Sequence, residues 1–142
     1  MTPFDTALRV QRREVDAVKV SISVEVERIN TLETQTRTLD ATVRQERALA
    51  YAMPFASDAW SARMKAERAR LDEAAYLAQA RLGRLRAKAV EAYGTMRAIE
   101  GAAERFEDEA ERTVALAEQN AIDDIAAARF LRARAIAKKR SA

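Results

Sequence analysis

The sequence predicts an all-α protein: a long antiparallel two-helix coiled-coil hairpin with an overhanging C-terminal helix. Three observations carry that expectation. Apolar residues recur at alternating steps of three and four along most of the 142 residues. The pattern breaks clearly in only one short stretch. The composition is 33% charged and 49% hydrophobic but only 6% aromatic, with three Gly and two Pro, which is typical of long helices and coiled coils. So little side-chain bulk suits a thin seam between two helices better than a thick core. The length is that of one domain, residues 1–142.

The first helix is expected over about 3–51. Thr2 is placed to cap it, Pro3 takes the first helical position, and Asp5 falls in the first turn, where a carboxylate favours the helix dipole. The spacing then picks out Phe4, Leu8, Gln11, Val15, Val18, Ile22, Glu25, Ile29, Leu32, Thr36, Leu39, Val43, Glu46 and Ala50. Ten of these fourteen are apolar, enough to define a coiled-coil seam sustained over about six heptads. Val10, Val20, Val24 and Val26 lie off it. The alternation around them has real β propensity, but the seven-residue period on both flanks makes this region helix. These valines are either tolerated surface residues or a second apolar stripe.

A turn is expected over about 52–58, within Met53-Pro54-Phe55-Ala56-Ser57-Asp58. Pro54 disfavours helix at Met53 and removes a donor, and Ser57 or Asp58 can cap the second helix. So short a connection makes the helices antiparallel neighbours. Phe55 and Trp60 beside it either close the end of the hairpin or form a recognition tip.

The second helix is expected over about 59–138. Its stripe runs Trp60, Met64, Glu67, Leu71, Ala75, Ala78, Leu82, Leu85, Ala89, Ala92, Met96, Ile99, Ala103, Phe106, Ala110, Val114, Ala117, Ala121, Ile125 and Ala128, with Glu67 the one polar member, expected to lean outward. Gly83, Gly94 and Gly101 mark close contacts or soft joints, Gly101 being the first candidate for a bend. At a rise of 1.5 Å per residue the first helix reaches roughly 70 Å and the second roughly 120 Å. Residue 4 should therefore lie near residue 104, and the segment from about Phe106 to Arg140 should lack an intramolecular partner. An exposed apolar stripe of that length normally serves as a binding face.

The charges are strongly segregated. Between Glu100 and Asp124 nine acids (Glu100, Glu104, Glu107, Asp108, Glu109, Glu111, Glu118, Asp123, Asp124) face only Arg105 and Arg112. Beyond Asp124 come six bases (Arg129, Arg132, Arg134, Lys138, Lys139, Arg140) and no acid. Such blocks mark interaction ends or solvated faces. The basic end admits an acidic protein surface, an anionic membrane or nucleic acid as partner. Nucleic acid ranks below a protein, because only Phe130 interleaves with the bases and the acidic block repels phosphate.

Catalytic chemistry is missing. The chain has no His and no Cys, which removes the commonest general base, the commonest metal ligand and thiolate chemistry. No Gly-rich phosphate loop occurs. The cluster Glu107-Asp108-Glu109-Glu111 and the pair Asp123-Asp124 lack the histidines that a helical di-metal site would use, so they are expected to be solvated faces. Neither an enzyme activity, a cofactor nor a small-molecule substrate is expected. No stretch is apolar enough to span a membrane, and the N-terminus lacks the basic and apolar regions of a signal peptide. A cytoplasmic protein is the default expectation.

The opening Phe4-x-x-x-Leu8-x-Val10, followed by Arg12, Arg13 and Glu14, and the acidic-then-Arg stretch from Glu118 to Arg129, in a hairpin of this length, make the chain resemble the FliJ family of flagellar export proteins and its type III secretion stalk relatives. The resemblance covers the whole chain and carries no catalytic motif. It implies a fold like the two-helix stalk of rotary ATPase γ subunits. It also implies insertion of the free-ended tip into a hexameric export ATPase, contact with the membrane export gate and export chaperones, and at most a peripheral place at the inner face of the membrane. On that basis the partner-binding candidates are Phe4, Leu8, Arg12 and Arg13, with Phe130, Leu131, Arg132, Arg134, Lys138, Lys139 and Arg140. Gate-binding positions along the middle of the second helix have no residue-by-residue match. Two other readings stay open: a coiled-coil scaffold or adaptor that self-associates through helix 2, and a helical nucleic-acid-associated protein using its basic end.

Overall fold

The computed structural model describes residues 2–52 and 58–141. They form two α-helices, α1 (Asp5–Ala52) of 48 residues and α2 (Asp58–Arg140) of 83 residues, with no strand among the described residues. The fold is the all-α two-helix hairpin that the periodicity predicts. The expected turn residues Met53, Pro54, Phe55, Ala56 and Ser57 lie outside the described residues.

The start of α1 differs in detail from expectation. Thr2 caps through its backbone: the Asp5 N–H donates to the Thr2 carbonyl at 3.2 Å. Its hydroxyl and N–H both donate to the Asp5 carboxylate, each at 2.8 Å, as in the returning half of a capping box. Pro3 therefore sits in a turn before the helix, whose first bond runs from Leu8 N–H to the Phe4 carbonyl at 2.9 Å.

The chain packs as two compact units, residues 9–96 and residues 1–8 with 97–142. In the first unit α1 and α2 run antiparallel. The Gln11 Nε2 donates to the Ala92 carbonyl at 3.0 Å, and Arg81 Nε donates to Glu25 Oε1 at 3.0 Å. Further along, Arg68 pairs with Asp40, so partners on α2 fall in number as those on α1 rise. Every expected seam position in this unit is buried or half-buried except Glu46, which is exposed. Ile29, Ala78 and Leu82 form the buried cluster, with Ile22 and Leu32 packed against it. The off-seam valines at 10, 20, 24 and 26 are exposed, as surface residues of a helix rather than parts of a strand. A Cβ at Gly83 or Gly94 would meet nothing within 4 Å, so neither glycine marks a close contact.

Glu25 is the buried charge of this seam, at 5% exposure. Its carboxylate accepts from Arg81 and, at 3.4 Å, from Arg28. Both arginines keep their heads partly in water, which screens the pair. Replacing such an ion pair by an apolar side chain is often neutral or stabilising. Glu25→Leu is accordingly expected to leave the urea midpoint of unfolding unchanged or raised; a clear fall would mean that the pair stabilises the seam. Glu67, the other acid on the stripe, stays half-buried and bonds Arg70 on its own helix at 2.5 and 3.0 Å. That hydrogen bond holds its carboxyl below the usual glutamate value.

In the second unit Leu8 and Ala103 are buried. The Phe4 ring meets Phe106 edge to face, with centroids 6.0 Å apart and planes at 70°, a favoured aromatic geometry. Phe106 thus has an intramolecular partner, and the bare stripe begins at Ala110, one turn later than the length arithmetic placed it. From Glu104 to Ser141 every residue is exposed.

Candidate interaction site

Within the second unit the bare part of α2 presents Val114, Leu116, Ile122, Ile125, Phe130, Leu131 and Ile136 to solvent. Nothing in this segment is buried, so its helix rests on local interactions. Gln119 Nε2 donates to Asp123 Oδ1 at 2.9 Å. The Thr113 hydroxyl donates to the Glu109 carbonyl at 2.8 Å, which satisfies the hydroxyl without strengthening the helix. At the far end Lys138, Lys139 and Arg140 occupy the last turn, where cations favour the helix dipole. Ser141 closes it, its N–H donating to the Ala137 carbonyl and its hydroxyl to the Lys138 carbonyl, both at 3.2 Å.

The candidate residues do not form one patch. Phe130, Leu131, Arg132, Arg134, Lys138, Lys139 and Arg140 are all exposed on the last turns of α2. Phe4 and Leu8 instead take part in the packing of the same unit, Phe4 half-buried against Phe106 and Leu8 buried. Phe130 lies 24 residues beyond Phe106, roughly 36 Å along a continuous helix. Arg12 and Arg13 are exposed in the other unit. Within the unit of residues 1–8 and 97–142, the exposed candidates that can meet a partner as one surface are the C-terminal ones.

Sequence reasoning did not single out a second basic feature, in unit 9–96. Arg44, Arg47 and Lys65 line a groove with Trp60, Met64 and Val43. Trp60 is half-buried there. Arg68 joins them, bonded to Asp40 and, at 3.2 Å, to Asp72, and those bonds raise its already high pKa further. The signal was present as Arg37, Arg44 and Arg47 along α1, but the balanced charge of the first fifty residues hid their crowding near one end.

Among the described residues no group of three His, Cys, Asp or Glu side chains is placed to hold a metal ion, and no helix is long and apolar enough to cross a membrane. In comparisons with known protein families, curated proteins and solved structures, nothing matches this chain.

Proposed function

We propose that the protein is a non-enzymatic stalk and coupling component of the flagellar type III protein export apparatus. In this reading the C-terminal end of α2 engages a hexameric export ATPase, and other surfaces meet the membrane export gate and export chaperones. One observation carries it: a helix that continues far past its packed part, with every residue from 104 to 141 exposed and six bases at its end. Such a rod suits insertion into a partner with acidic surfaces, because complementary charge speeds encounter and fixes orientation. The resemblance at Phe4, Leu8, Val10, Arg12 and Arg13 supports the same reading. The exposed stripe also favours a coiled-coil scaffold, which would hold partners without an ATPase.

Capture of the tagged protein from its native cells, with mass spectrometry of the bound proteins, tests the reading. Recovery of a hexameric secretion ATPase is the expected result, and recovery of nucleic acid that salt strips away would replace it. With that ATPase in hand, reversing Arg132, Arg134 and Arg140 to Glu together should weaken binding by about tenfold or more. Unchanged affinity would sink the proposal.

A further inference from the structure

We infer that the bare segment of α2 pairs antiparallel with the same segment of a second copy, with Ile125 on the two-fold axis. The inference rests on the chain alone; the segment is the one that the stalk reading gives to the ATPase, so self-pairing and ATPase engagement exclude one another at any one moment.

The carrying observation is a reversal of charge along one heptad position. Glu104, Glu111, Glu118, Ile125, Arg132 and Lys139 succeed one another at steps of seven, so in a coiled coil they lie on one line of the helix surface. The line is acidic before Ile125 and basic after it. In an antiparallel pair of identical helices, flanking heptad positions face their own counterparts, and a two-fold contact is self-complementary. Centring that contact on Ile125 sets Glu118 opposite the second copy's Arg132, and Glu111 opposite its Lys139. Each pairing then occurs twice.

The wider charge distribution selects the same orientation. From Glu109 to Asp124 there are five acids and one base, a net of −4; from residue 126 to 141 there are six bases and no acid, a net of +6. The antiparallel arrangement brings the acidic block against the basic block at both ends. A parallel arrangement would stack like on like along the whole contact and is excluded by repulsion. The overlap from residue 109 to 141 spans roughly 50 Å, ample for a stable helix pair.

The structure leaves these groups available. Glu104, Glu111, Glu118, Arg132 and Lys139 are exposed and make no ion pair among the described residues. The heptad frame is sustained by Val114, Ala121, Ala128 and Ala135, again seven apart, whose small side chains allow close approach of the axes.

Sedimentation of the purified full chain, at low and at physiological salt, reads the monomer–dimer equilibrium. A dimer is expected, weakening as salt rises because its charges are exposed at the rim. Glu111→Lys with Glu118→Lys, or Arg132→Glu with Lys139→Glu, should each raise the dimer dissociation constant by about tenfold or more. All four substitutions together should restore it, while circular dichroism verifies that every variant stays helical. Because the chain has no cysteine, Ile125→Cys introduces a lone thiol on the axis. It should cross-link to a dimer under mild oxidation, whereas Val90→Cys, exposed in the other unit, should not. A chain that stays monomeric at high micromolar concentration overturns the inference and leaves the stripe to a different protein. A dimer that ignores the charge exchanges, or that cross-links equally at position 90, overturns it as well. The fourfold exchange keeps Arg132 reversed while restoring the dimer, so loss of ATPase binding in that variant is separable from loss of self-pairing.

Discussion

Ala78→Asp is expected to destabilise the hairpin by about 3–5 kcal/mol near neutral pH, the cost of an uncompensated charge in a buried site. Ala78 is 0% exposed and belongs to the cluster with Ile29 and Leu82. Glu25 shows why this site differs. At 5% exposure it survives in the same seam because its longer stem brings the carboxylate to Arg81 and Arg28. An Asp at 78 has a short stem, and Arg81, one turn along the same helix, is already bonded to Glu25. Burial would raise its pKa above the unfolded value, so the penalty is full above the raised folded pKa. It shrinks as the pH falls through that value and is largely relieved below the unfolded carboxyl pKa. Urea unfolding monitored by far-UV circular dichroism across that acidic range checks both the size and the sign. A variant as stable as the parent at neutral pH would show that the two helices are not packed at Ala78.

The second large effect is expected at Leu71, which at 2% exposure is the largest fully buried side chain among the described residues. Truncation to Ala removes its transfer free energy and opens a cavity, for which core leucines lose about 2–5 kcal/mol. A seam two helices thick gives the cavity walls room to close and water a short path in. The expected loss is therefore in the lower part of that range, about 2–3 kcal/mol. Leu71 lines a surface groove together with Leu39, so Leu39→Ala should lower the effect of the second truncation, a coupling that a double-mutant cycle reads. A loss under about 1 kcal/mol would contradict the burial.

Most of the architecture could be read from the sequence because a coiled-coil seam is a one-dimensional pattern. Positions such as Val15, Ile22, Ile29, Ala78 and Leu82 are recognisable from spacing alone, and the structure buries or half-buries them. Polar seam residues were the illegible part. Glu25 and Glu46 stand on the same stripe of α1, yet one is buried and the other exposed. The difference lies in what α2 places across from them, Arg81 in the case of Glu25, and a single helix's periodicity does not contain its neighbour's register. The Phe4–Phe106 contact was missed for a related reason. Counting residues from the turn locates an opposite position to within a turn, whereas the ring contact depends on the phase of both helices. For the candidate site, the basic end of α2 was plain as a block of charge, but the fate of Leu8 was not. A heptad residue looks the same in sequence whether it packs within the chain or waits for another.

The unbroken hydrogen-bond ladder of α2 conceals two very different resistances to opening. Between Asp58 and Ala103 the backbone is shielded by buried side chains such as Leu71, Ala78 and Ala92, and breaking a turn there means separating packed helices. From Glu111 to Ser141 nothing is buried, so each turn is held only by the helix–coil balance, which is marginal for isolated helices in water. Amide protons along Val114–Ala137 should therefore exchange with solvent far faster than those along Leu71–Ala92. Trypsin should reach Arg129, Arg132 and Arg134 before any arginine of the packed stretch. Whatever grips this end, a partner or a second copy, will announce itself first as silence in that region: slowed exchange and a C-terminus that proteases no longer trim.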